Sequence, residues 1–333
     1  MGVKSSAMRA RGAIPLLAAF AIIPLSIAAA QAPSAGSPAN DPHAVTVTFL
    51  AEDELGNSVS NLQISDLSVA DNGQPPMRIV SLGSAKDLPL RLGILIDNNP
   101  FYGLYYSDKL PEYDHTPQWV LDFAEEMLTG PDDKAFIASY SSVQHGAVFV
   151  SRDQLRPIDL AHFLKSDAPV YFGVGEAVRA ACDVFSADPA GRERRILIVI
   201  AGSDRQVGSE ELRHYQTIAD QNISAAAERA GVKVFTFGWM ASDHPGKGPL
   251  VYDPVYQPIY GWFETGGWVL TRQPDPSSWF KLLKSQIDSL YSLTYVPAEP
   301  YQPGKRRKLD LKITTNKSWR VYAPKSYLAP SAQ

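Results

Sequence analysis

The amino-acid sequence predicts an α/β fold: a doubly wound, mostly parallel sheet with a small antiparallel β module formed by the N- and C-terminal flanks. Three observations predict it. Between Pro89 and Leu290, apolar runs alternate with amphipathic segments, the order expected of strands joined by crossover helices. The runs are apolar on both faces, as strands covered on both sides must be. Outside that span the pattern changes to polar–apolar alternation, which marks strands with one solvated face.

Taken in order, residues 1–30 come first. Lys4, Arg9 and Arg11 precede an apolar stretch from Ile14 to Ile27 and the small residues Ala28, Ala29 and Ala30, the pattern of a cleaved signal peptide. Retention as an anchor is the alternative, because Gly12 to Ala30 is nearly long enough to span a bilayer. Residues 31–43 are small, polar and proline-rich, which predicts a linker. Residues 44–86 alternate at Val45, Val47 and Phe49 and again at Leu67 and Val69, with turn signals at Gly56-Asn57 and Asp71-Asn72-Gly73. These form the first part of the β module, and residues 291–328, with Leu309, Leu311 and Ile313 between charges, form the second.

The central domain, residues 87–290, carries four strand-like runs: RLGILID (91–97), DKAFIASYS (133–141), RRILIVIAGS (194–203) and VKVFTFGW (232–239). Helical punctuation lies between them. TPQWVLDFAEEMLTG has Thr116 as cap, Pro117 at the first position and Gly130 as stop. The stretch from Ser209 to Gly231 opens on acids and closes on Arg229, matching the helix dipole, and DPSSWFKLLKSQIDSLYSL supplies a last helix.

Charge and cysteine count narrow the function classes. The chain holds 31 basic and 35 acidic residues; loss of residues 1–30 leaves 28 against 35 and a formal charge of −7, which argues against nucleic acid and anionic membrane surfaces as partners. Cys182 stands alone on an apolar helical stripe, so a buried, inert thiol is expected and no intramolecular disulfide can form. There is no G-x-S-x-G elbow, Gly173-Val174-Gly175 lacks the third glycine of a dinucleotide fingerprint, and the six histidines are scattered. No catalytic constellation is visible, and the expectation is a protein that is not an enzyme and needs no cofactor. Lys305-Arg306-Arg307-Lys308 reads as a solvated turn between strands.

Ligands of open parallel sheets bind outside the carboxyl ends of the strands. Asp97, Asn99 and Phe101 follow the first run, Phe172 precedes a later helix, and Ser203 and Asp204 follow the third run. Here the chain resembles the von Willebrand factor type A domain, and more narrowly VWFA-related proteins abundant in Acidobacteria, over about residues 45–328. The resemblance is carried by VTVTFLAEDELGNSVSNLQISDLSVADNGQPPMRIV, by GWFETGGWVL, and by YSLTYVPAEP followed by KRRKLDLKI and APKSYLA, in that order. It implies a metal-ion-dependent adhesion site, DxSxS, with a Thr and an Asp from two further loops. Asp97 matches the first aspartate and Asn99 stands at the first serine. Phe101 occupies the second serine position, Phe172 is at or beside the threonine, and Ala201 is where the last aspartate belongs. Mg²⁺ requires several converging hard oxygen ligands, so the resemblance implies a degenerate site without metal.

Aromatic residues take the place of ligands. Tyr102, Tyr105 and Tyr106 follow Phe101 in NNPFYGLYYSDKLPEYDH, and tyrosines supply rigid amphipathic contact area. The expected function is an exported, adhesion-type protein that binds a protein partner at this edge, without stable membrane insertion after signal cleavage. A carbohydrate- or polymer-binding envelope protein that uses exposed Tyr and Trp loops is the alternative, as is a closed cap in which the rings plug the old metal position.

Overall fold

A computed structural model describes residues 41, 43–96, 116–155, 174–187, 192–201, 223–238, 269–271 and 276–329. Twelve strands among them form three sheets. The first is antiparallel, with β1 (Val45–Glu52), β3 (Arg78–Ser84), β9 (Tyr291–Val296) and β11 (Arg320–Tyr322) in the order β11-β1-β9-β3. The second, also antiparallel, has the order β12-β10-β2, from β2 (Leu67–Asp71), β10 (Arg306–Ile313) and β12 (Ser326–Leu328). The third is parallel, in the order β5-β4-β6-β7-β8, from β4 (Leu90–Ile96), β5 (Lys134–Ser139), β6 (Arg194–Ala201), β7 (Lys233–Gly238) and β8 (Val269–Thr271).

This architecture corrects the predicted fold class. Seven of the twelve strands lie in antiparallel sheets and five in the parallel one, and the described α-helices are few: α1 (Thr116–Met127), the single turn α2 (Arg152–Leu155), α3 (Val174–Ala187), a helical stretch at 223–230, and α4 (Pro276–Asp288). The chain is therefore not a doubly wound α/β fold of the von Willebrand type with a small appendage. The physical reason lies in the flanks. The two ends were expected to pair into one small module beside the sheet, but β1 pairs with both β9 and β11, and β10 with both β2 and β12, so they interleave into two sheets that hold seven of the twelve strands.

Local chemistry accounts for the elements. β10 alternates inward and outward over its whole length, with Arg307, Leu309, Leu311 and Ile313 buried and Arg306, Lys308, Asp310 and Lys312 exposed, the period of two that one covered face demands. The reversal after β2 places Asn72 and Gly73 at positive φ, 51° and 80°, the two left-handed positions of a tight hairpin turn. In the parallel sheet β4 and β6 are buried on both faces, which explains their unbroken apolar runs.

Among the described residues three apolar clusters form the interior. The inward rows of the two antiparallel sheets share one, with Val45, Val47 and Phe49 against Leu293, Tyr295, Leu309 and Leu311. A second lies against one face of the parallel sheet, where Leu95, Phe136, Leu197 and Val199 meet Val178 and Cys182 of α3 and Ala227 of the 223–230 stretch. The third lies against its other face and joins Leu92, Ile94, Ile196 and Ile198 to Val120 of α1 and Leu283 of α4, and also takes in Leu50 of β1. β1 thus offers Phe49 to one core and Leu50 to another.

Candidate functional site

The strand register brings the carboxyl ends of the parallel sheet level. Ile96 pairs with Ser139 on one side and Ile200 on the other, Ala201 with Gly238, and Gly238 with Thr271. The strand order also reverses at β4: the chain runs from β4 outward to β5, then returns across β4 to β6. Open α/β sheets place their ligands outside the strand ends at such a reversal, where successive connections leave in opposite directions. At this reversal β4 ends on Ile96 and β6 on Ala201.

The described residues at this edge carry hydroxyls. Beyond β5 the chain turns sharply: the Tyr140 amide donates to the Ile96 carbonyl at 3.1 Å, and the Ser142 amide to the Ser139 carbonyl at 3.2 Å. Ser139, fully buried, has its Oγ 2.9 Å from Ser142 Oγ and 3.2 Å from Ser141 Oγ, and the Ser139 amide donates to Ser142 Oγ at 2.9 Å. These bonds hold the turn beside Ile96. They spend hydroxyl capacity on one another and brace the turn at this edge. This serine turn was not foreseen, because its significance depends on the β4–β5 register, which the apolar run DKAFIASYS does not encode.

The sequence-predicted edge residues Asp97, Asn99, Phe101, Tyr102, Tyr105, Tyr106, Phe172, Ser203 and Asp204 all lie outside the described residues. Ala201, the last residue of β6, is at the strand end. Among the described residues no group of three His, Cys, Asp or Glu side chains is placed to hold a metal ion, and no helix is long and apolar enough to cross a membrane.

A buried ionic cluster lies in the antiparallel part of the chain. Asp71, at the end of β2 and 1 % exposed, accepts from Arg307 Nε at 2.6 Å, Tyr327 Oη at 2.5 Å and Tyr295 Oη at 3.1 Å. Burial, with the neighbouring Asp71 charge, raises both phenols well above their ordinary range. Arg307 is held above its usual value despite burial, because the Asp71 hydrogen bond and charge outweigh desolvation. The expected solvated turn at 305–308 is corrected accordingly. Only Lys305 precedes the strand; Arg307 is buried, and Arg306 donates from Nε to Glu228 Oε1 at 2.8 Å and pairs through its other nitrogen with Glu228 Oε2. The alternation of Leu309, Leu311 and Ile313, carried back two residues, puts Arg307 in the inward row; that signal was in the sequence.

Two other buried groups stand out. Lys233, 4 % exposed at the start of β7, has no hydrogen-bond partner for its Nζ among the described residues, and burial pushes it down to about 7. Glu52, 2 % exposed at the end of β1, accepts from Gln286 Nε2 of α4 at 3.4 Å, and burial raises its carboxyl above the ordinary range against the opposing pull of Tyr322 and Arg320. Cys182 is buried and unpaired, its thiol pushed up to about 12 by burial, so it is chemically quiet.

No protein-family model matches the chain, and no curated protein matches it. Solved structures similar to it include proximal thread matrix protein 1 from the mussel byssus in two structures. One has 10 % identity over 64 % of this chain and 49 % of that one with a TM-score of 0.38; the other has 13 % identity over 63 % and 48 % with a TM-score of 0.36. The pilus adhesin SpaC of Lactobacillus rhamnosus GG, in its open conformation, has 9 % identity over 80 % of this chain and 48 % of that one, with a TM-score of 0.41. Its structural neighbours thus include an adhesin and a matrix protein. The chain spans about half the length of each, and likeness of this degree carries no argument about what it binds.

Proposed function

We propose that this is an exported, non-enzymatic, adhesion-type protein that binds a protein partner at the carboxyl edge of its parallel sheet without a bound metal. The observation that carries the proposal is the level set of strand ends at the β4–β6 reversal, from which the segment with Phe101, Tyr102, Tyr105 and Tyr106 follows directly in sequence after Ile96. Ligands of open parallel sheets bind outside the carboxyl ends of the strands, and aromatic residues are enriched at recognition surfaces. The motif order resembling VWFA-related proteins supports the choice of edge, though not the whole-chain fold corrected above. The charged n-region and apolar stretch of residues 1–30 support export.

The test is a Tyr102→Ala, Tyr105→Ala, Tyr106→Ala triple variant compared with the wild type in crosslinking to envelope proteins. A defined protein captured by the wild type and lost in the variant is expected. Retention of the wild type on insoluble neutral polysaccharide, abolished in the variant, would instead make the edge a sugar-stacking surface. For the metal, millimolar Mg²⁺ or Mn²⁺ is expected to leave the melting temperature at its EDTA value; a rise that Asp97→Ala removes would overturn the metal-free reading, since a ligand of the native state alone must stabilise it.

A further inference from the structure

The basic residues are distributed unevenly. Between Gln302 and Ala329 lie eight of the chain's 31 basic residues and one of its 35 acidic ones, Asp310. The three-stranded sheet sorts them. Arg307 turns inward to Asp71 and Arg306 is tied to Glu228, while Lys308 and Lys312 point outward on the face of β10, both exposed. Lys305 and Lys325 are exposed just beyond the ends of this sheet's strands. Across the ladder the neighbours of the two lysines and of Asp310 are small, Ser68 opposite Lys312, Ala70 opposite Asp310 and Ser326 opposite Lys308, while Leu328 lies opposite Arg306. The result is a low, lysine-bearing face on an otherwise acidic molecule.

We propose that this outward face of β10 binds a carboxylated polysaccharide. Alternate residues of a strand recur about every 6.6–7 Å, so Lys308 and Lys312, with Asp310 between them on the same face, stand in line about 13–14 Å apart as spaced point charges, suited to a polymer with widely spaced carboxylates. Nucleic acid is the wrong match: its duplex carries a charge about every 1.7 Å, and the acidic remainder of the chain repels so dense an anion. A protein partner is also a poor match, because interface centres are rich in aromatic and arginine anchors and poor in lysine; here Arg306 is already engaged and small residues surround the lysines. Asp310 tempers the face, taking Lys312 Nζ at 2.6 Å. This surface is distinct from the edge of the parallel sheet, and either proposal can fail without the other.

Affinity electrophoresis of the full chain in gels containing alginate, dextran or polyglutamate tests it. Expected are retardation by alginate at low salt that fades as salt screens the contact, none by dextran, and an apparent affinity for alginate lowered about tenfold or more in Lys308→Glu/Lys312→Glu. Asp310→Asn should strengthen binding about two- to threefold by releasing Lys312, an effect that a merely structural role would not produce. Both variants alter exposed side chains, and an unchanged melting temperature confirms their fold. Equal retardation of wild type and the double lysine variant, no retardation by alginate, or tighter binding to polyglutamate, which would point to an acidic protein segment, overturns the proposal.

Discussion

Asp71 shows how much one residue can hold. Its carboxylate collects a guanidinium from β10, a phenol from β9 and a phenol from β12, so a single side chain ties both antiparallel sheets together. Removing one partner of a buried pair leaves the other charge uncompensated, which costs about 3–5 kcal/mol. Asp71→Asn is expected to lose about that much in urea unfolding, and Asp71→Asn/Arg307→Met to recover a large part of it. Lys233 works in the opposite sense. Its amine is held near 7 by burial, against 10.5 in the unfolded chain, so between those values the unfolded state binds more protons and stability rises with pH. The stabilisation is complete above 10.5 and lost as pH falls through about 7; over that window it amounts to roughly 5 kcal/mol at most. Lys233→Met should flatten the rise and be the more stable protein at pH 7, as urea midpoints at pH 7 and 9 will show.

At the scale of elements, strand identity was legible and partnership was not. The four apolar runs correspond to β4, β5, β6 and β7 within a residue or two, because a strand buried on both faces has no choice but to be apolar throughout. The reversal at Asn72-Gly73 was legible for a similar reason: two positive φ values need residues that tolerate them. What the sequence does not carry is which strands lie side by side. Ser139 came to rest beside Ile96, and β10 between β2 and β12, through contacts far apart in the chain. Gly93 is an instance in which the partner explains the residue. A Cβ there would lie 2.5 Å from Phe136 Cζ and 3.0 Å from Leu197 Cδ1. The Phe136 ring is itself hemmed in by Phe149 and Phe185, with centroids 5.1 and 5.5 Å away. Gly93→Ala should therefore cost about 1–3 kcal/mol in urea unfolding by overpacking, and a second change, Phe136→Leu, should relieve part of it; strict additivity of the two would show that the ring is not the obstacle.

For the whole molecule the decisive feature is that the antiparallel and parallel parts share a core. Leu50 of β1, 1 % exposed, packs in the cluster that holds Ile94 of β4 and Leu283 and Ile287 of α4, and the Ala85 amide donates to the Leu290 carbonyl at 2.7 Å where α4 gives way to β9. Gln286 adds a polar contact from the same helix to Glu52. A β module that merely sat beside the sheet would melt by itself and leave β4, β6 and β7 intact. With α4 packed against both, loss of β1 strips one side of the helix and exposes the other. Leu50→Ala should cost about 2–5 kcal/mol, and the loss should appear throughout. Calorimetry should show one transition moved to lower temperature, and hydrogen exchange should show the amides of β1 and those of β4 losing protection by the same increment. Should β1 exchange faster while Ile94 and Ile198 keep their wild-type protection, the parallel sheet is an independent unit, and the carboxyl edge proposed for binding would keep its shape whatever happens to the flanks.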